Sequence, residues 1–165
     1  MYTETTAQTS WQCYFNGCYE SSRVGAVVPP RYGHTLTSVG FSTPYVVMFG
    51  GANGTKDDAA TLGDTWVLTS VLPFHRSVGG SSHSFKWQNV APIRSPGPRY
   101  KQAMASYGKD TNGMRSVMFG GCADVHCKTL LHDTWIFSGT HNSLLSISWS
   151  WTKITATPSS PQGRR

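Results

Sequence analysis

The chain has 165 residues, 38% of them apolar and 12% aromatic, which is enough to fill the core of one ordinary domain and excludes wholesale disorder. Only 13% are charged, and the net charge of +6 comes from cations scattered singly along the chain, with only Arg164 and Arg165 adjacent. No basic run and no apolar stretch near the ~18 residues of a membrane span occurs, so neither a nucleic acid nor a membrane is expected as a partner.

Residues 1–12 are polar and lack the basic-then-apolar pattern of a secretory leader. With Met1 read as the true start, the expected location is cytoplasmic. In that compartment Cys13, Cys18, Cys122 and Cys127 are expected as free thiols rather than as two small-loop disulfides.

Taken in chain order, the segments read as short strands. Trp11–Tyr14 is the first. Tyr32–Val39 follows, rich in Thr and Ser, and then Tyr45–Phe49, a continuous apolar run ended by Gly50-Gly51. Such a run has the look of a strand buried on both faces. Thr65–Thr69 and Ser84–Val90 complete a group of four. The second half repeats the group with Arg99–Ser106, Arg115–Phe119, Thr134–Phe137 and Ser146–Ile154.

The repetition is literal. Pro30-Arg31-Tyr32 returns as Pro98-Arg99-Tyr100, offset 98 − 30 = 68. Val47-Met48-Phe49-Gly50-Gly51 returns as Val117-Met118-Phe119-Gly120-Gly121, offset 117 − 47 = 70. Asp64-Thr65-Trp66 returns as Asp133-Thr134-Trp135, offset 133 − 64 = 69, and Trp87 is answered by Trp151, offset 151 − 87 = 64. Four blocks in one order at nearly one offset mark an internal repeat.

These blocks resemble the kelch repeat. The resemblance is carried by Pro30-Arg31-Tyr32-Gly33-His34, Phe49-Gly50-Gly51, Leu62-Gly63-Asp64-Thr65-Trp66 and Trp87. It is carried again by Pro98-Arg99-Tyr100, Phe119-Gly120-Gly121, Leu131-His132-Asp133-Thr134-Trp135 and Trp151. It implies an all-β fold of antiparallel four-stranded blades of a kelch-type β-propeller, two blades plus partial flanking strands. Residues 1–29 would be the end of a preceding blade and a linker, 30–97 the first repeat, 98–158 the second, and 159–165 the start of a further one. The repeats exceed the usual ~50 residues of the family. The excess falls between Trp66 and Trp87 and between Trp135 and Trp151, where long loops joining the third and fourth strands are expected.

The repeated polar residues read as scaffold. Arg31 and Arg99 can bond loop carbonyls through a planar fork, and Asp64 and Asp133 can bond backbone amides at a turn. Catalytic chemistry finds no motif: there is no Gly-x-Ser-x-Gly elbow, no phosphate loop and no separable carboxylate pair. Cys122, His126, Cys127 and His132 are close in sequence, but their spacing fits no strong zinc pattern. A polar loop with incidental thiols is the favoured reading there, with a zinc site or a Cys122–Cys127 disulfide as alternatives. No cofactor is expected.

The resemblance implies a protein–protein interaction module rather than an enzyme. The alternative is part of a propeller enzyme resembling the galactose-oxidase-type copper oxidases, although no Tyr, Cys or His here maps onto that ligand set. Contacts to a partner protein are expected on the two long inserts, Thr69 to Phe85 and Ser138 to Ser146, with Phe74, His75, Arg76 and His83 of the first as candidates, because loops on a rigid scaffold carry binding. Two blades leave two apolar faces uncovered, so self-association or further blades of a longer chain are also expected.

Overall fold

The computed structural model describes residues 9–14, 17–22, 26–40, 45–55, 58–71, 84–106, 114–143 and 146–155. Every regular element among them is a strand. β1 (Thr9–Tyr14) pairs with β2 (Gly17–Ser22) in a two-stranded hairpin of its own. The first large sheet contains β3 (Thr35–Val39), β4 (Tyr45–Phe49), β7 (Thr65–Val71) and β8 (Ser84–Val90), antiparallel in that order. Beside it, β5 (Ala52–Asn53) and β6 (Ala60–Thr61) form a short ladder. The second large sheet contains β9 (Ala103–Ser106), β10 (Met114–Phe119), β11 (Thr134–Ser143) and β12 (Ser146–Ile154), again antiparallel in chain order. No helix among the described residues is long and apolar enough to cross a membrane.

The two sheets share one register. Thr35 lies opposite Phe49, Phe49 opposite Thr65, and Thr65 opposite Val90. In the second sheet Ala103 lies opposite Phe119, Phe119 opposite Thr134, and Thr134 opposite Ile154. The sequence offsets of 68, 70, 69 and 64 thus become one three-dimensional superposition of strands.

Strand periodicity decides which face each residue serves. In β10 the side chains of Met114, Ser116 and Met118 are buried, and those between them are not. That buried face, with Phe137 and Trp151, packs on Val47, Phe49, Val67 and Val90 of the first sheet. The Phe49 and Trp151 rings meet edge-on at 5.0 Å, and Tyr45 meets Trp149 at 5.5 Å. Trp151 Nε1 donates across the seam to Thr65 Oγ1 at 3.0 Å, so the largest buried ring leaves no polar group unmet. Burial of Val47, Phe49, Val67, Met118 and Phe137, all at 0% exposure, contributes about 2 kcal/mol each.

Of the boundaries that differ from the sequence reading, two share one cause. Tyr32–Val39 and Arg99–Ser106 were expected as strands throughout, yet β3 and β9 begin at Thr35 and Ala103. The cause is a left-handed residue just before each strand, Gly33 at φ 62° and Lys101 at φ 57°. Tyr32 and Tyr100 instead make single bridges to Ala52 and Cys122. The segment Ser138–Ser146, expected as a loop, is a hairpin: Gly139 pairs with Trp149, Thr140 with Ser148 and His141 with Ile147. The Trp149 ring explains the extension. It stacks on Phe137 at 5.2 Å and passes where a Cβ of Gly139 would be, 2.5 Å away. Only glycine there lets the strand continue beneath the indole.

Phe137 touches both Trp149 and Trp151. Phe137→Ala should therefore lower the unfolding free energy by about 3–5 kcal/mol, measured by urea titration of tryptophan fluorescence. A loss below about 1 kcal/mol would show that the two sheets do not share this core.

Candidate functional site

The same polar cluster occurs once in each sheet. Arg31 forks onto Asp64, with Nη1 to Oδ1 at 2.6 Å and Nη2 to Oδ2 at 2.8 Å. Trp66 Nε1 donates to the same carboxylate at 2.5 Å. The guanidinium also donates to the carbonyls of Gly50 at 3.1 Å and Pro29 at 3.2 Å. In the second sheet Arg99 donates to Asp133 at 2.5 and 3.2 Å, and to the carbonyls of Gly120 and Gly97 at 3.1 Å each. Trp135 Nε1 reaches Asp133 at 2.7 Å. The side chains of Arg31 and Arg99 are 3% and 2% exposed. The arginines thus bond loop carbonyls as expected. The aspartates go chiefly to guanidinium and indole rather than to turn amides.

Partial burial pushes the Asp64 carboxyl up, but the hydrogen bonds from Arg31 and Trp66, with the Arg31 charge, outweigh it and hold the group below the ordinary carboxylate value. Asp133 is likewise raised by burial and lowered further by Arg99, Trp135 and the more distant Lys153. Both carboxyls therefore titrate lower folded than unfolded. Their contribution to stability is complete above the unfolded value near ~3.9 and is lost as pH falls through the folded one.

Between the sheets the chain edge of one unit seats the next. Arg99 N–H donates to Leu62 C=O at 3.0 Å, Gly51 N–H to Arg99 C=O at 2.9 Å, and Lys101 N–H to Gly33 C=O at 2.8 Å. Gln102 Nε2 reaches Phe49 C=O at 2.8 Å. Pro98 lies against Gly63, 3.1 Å from the place of a Cβ there. At the corresponding place on the second sheet lies an open cleft of about 500 Å³. It is lined by Leu130, Leu131, His132, Asp133, Thr134, Lys153, Ile154 and Thr155. From the sequence, Leu131, Asp133 and Thr134 read as scaffold and His132 as a candidate zinc ligand, but these residues do not read as one cleft. The signal was present, since Leu131-His132-Asp133-Thr134 is the repeat of Leu62-Gly63-Asp64-Thr65, but only the folded chain shows that Pro98 covers one copy.

The loop after β10 requires a correction. Cys122 and Cys127, expected as free thiols, form a disulfide. Cys122 is bridged on both sides, to Tyr100 and to Leu130, while Asp124 accepts N–H bonds from His126, Lys128 and Thr129 and folds the loop tightly. That turn brings the two sulfurs together, and it removes both thiolates from any zinc site. Among the described residues no group of three or more His, Cys, Asp or Glu could hold a metal ion. Cys13 and Cys18 face each other in the backbone register of β1 and β2.

Phe74, His75, Arg76 and His83 lie outside the described residues. Their insert leaves β7 at Val71 and rejoins at Ser84. Comparison of the chain with protein-family models and with curated proteins finds no match.

Removing one partner of a buried pair strands the other charge. Asp133→Ala should cost about 3 kcal/mol, and Asp133→Asn should flatten the acid limb of stability measured between pH 6 and pH 2. An unchanged acid limb would mean that this carboxylate does not stabilise the fold.

Proposed function

We propose that the two sheets are kelch-type propeller blades and that the chain serves as a protein–protein interaction module. The observation that supports this reading best is the common register of the two sheets, each fixed by its own Arg–Asp–Trp cluster. Such a scaffold presents its connecting segments from a rigid platform, the arrangement in which loops carry recognition. The insert between β7 and β8 is the surface we assign to the partner, with Phe74, His75 and Arg76 as an aromatic and cationic contact set and His83 at its far end. Aromatic and arginine side chains are the usual anchors of such contacts. The Cys122–Cys127 bridge favours an oxidising compartment for this interaction over the cytoplasm.

A photo-crosslinking residue placed at position 76 should give one discrete adduct in source cells, and replacement of residues 72–83 by a short Gly-Ser turn should abolish capture of that protein while the far-UV β-sheet spectrum stays unchanged. Capture that survives the replacement would remove this surface from the function.

A further inference from the structure

The two outer faces of the molecule are repeat-equivalents of the two faces that already pack together. On the second sheet, Val117, Phe119, Ile136 and Ile154 hold the register positions of Val47, Phe49, Val67 and Val90, which the second sheet covers. Ile154 is 40% exposed where Val90 is 8% exposed. On the first sheet, Leu36 and Phe85 hold the positions of Met104 and Trp149, yet stand 51% and 66% exposed. One end of the molecule therefore carries the knob, and the other carries its socket.

We propose that the cleft beside the second sheet seats a second copy of this chain, head to tail, with Pro30 and Arg31 of that copy repeating the contacts that Pro98 and Arg99 make within the chain. The inference rests on reading the two sheets as stacked equivalent units. It is carried by continuity with the seam already formed.

The backbone groups match one for one. Leu131 C=O, Gly121 N–H and Lys101 C=O are the counterparts of Leu62 C=O, Gly51 N–H and Gly33 C=O. None of the three has a backbone partner among the described residues. The groups that would meet them, Arg31 N–H, Arg31 C=O and Gly33 N–H, likewise have no backbone partner among the described residues. Thr134 Oγ1 stands ready for the indole of Trp87 of the second copy, as Thr65 Oγ1 receives Trp151. His132 replaces Gly63, whose Cβ position is 3.1 Å from Pro98, so the docked proline sits a few tenths of an ångström further out. Because knob and socket are different surfaces, the contact is heterologous and propagates until a ring closes.

Sedimentation velocity on the whole chain across a dilution series tests this. Wild-type material should sediment as multiples of 18.0 kDa, whereas Phe85→Asp and Ile154→Asp, each blocking one end, should both sediment at 18.0 kDa. Mixed together, the two variants retain one good knob and one good socket. They should form a species of twice 18.0 kDa and nothing larger, which misfolded variants could not do. Wild type at 18.0 kDa throughout, or variants that fail to complement, overturns the proposal. So does an oligomer that appears only after residues 156–165 are removed, which would assign the cleft to the chain's own tail. Amide exchange separates the two levels. Protected β4 and β10 amides in a strictly monomeric chain leave the stacked units standing and sink only the docking, whereas unprotected amides sink both.

Discussion

The buried guanidinium of each unit is the constraint on which the rest depends. Arg31 and Arg99 are almost wholly removed from water, and a charge in that position is tolerable only if every donor is met. Each is met by a carboxylate at the start of the third strand, by the carbonyl of the first glycine after the second strand, and by a carbonyl two residues before itself. One side chain therefore fixes three separate stretches of backbone. The indole N–H of Trp66 or Trp135 occupies the remaining face of the carboxylate, which sets the ring as well. The pairs supply position more than net energy, since their desolvation offsets much of their attraction.

Once that corner is fixed, the packing of the sheets follows. Arg99 aims its side chain into its own unit at Asp133, while its backbone N–H and C=O serve Leu62 and Gly51 of the preceding one. The residue that closes one unit thus also docks it to its neighbour. Gln102 reinforces the same seam by reaching Phe49 C=O, a carbonyl at the end of a strand whose partner ladder has stopped. The apolar contacts of Phe49, Val67, Phe137 and Trp151 then have a defined sheet spacing in which to interlock.

Much of this was legible in the sequence, because a repeat announces both its elements and their equivalence. β4, β8 and β12 have the ends that their apolar and aromatic runs give them. The antiparallel four-stranded sheets likewise match what the repeated blocks and their resemblance imply. What escaped was set by contacts between residues distant in sequence. The β11–β12 hairpin reads as a loop because it falls in the excess of the repeat over the family length, and the Trp149 ring over Gly139 is not visible in the sequence. The thiols of Cys122 and Cys127 read as free because residues 1–12 imply a cytoplasmic location, while the Asp124 turn that brings them together rests on side chain to amide bonding that the sequence does not show. The cleft escaped for the same reason: that Pro98 covers Gly63 while His132 stands open is a contact between distant residues.

The glycines show which sequence differences carry information about a neighbour. Gly50 and Gly120 are both left-handed, at φ 64° and 68°, so each position favours glycine on backbone grounds alone. At Gly50 a Cβ would also strike Arg99 C=O at 2.5 Å, whereas at Gly120 it meets nothing nearer than Leu131 C=O at 3.1 Å, within its own unit. The same residue is therefore kept whether or not another unit presses on it, and its presence in both repeats says nothing about docking. Gly63 and His132 are the opposite case. Gly63 has no left-handed backbone to explain it and does have Pro98 upon it, while His132 stands in the open cleft. Where backbone strain does not dictate glycine, side-chain size tracks what the surface must receive. The exchange of Gly63 for His132 puts a side chain at the place where Pro98 lies directly on the first unit.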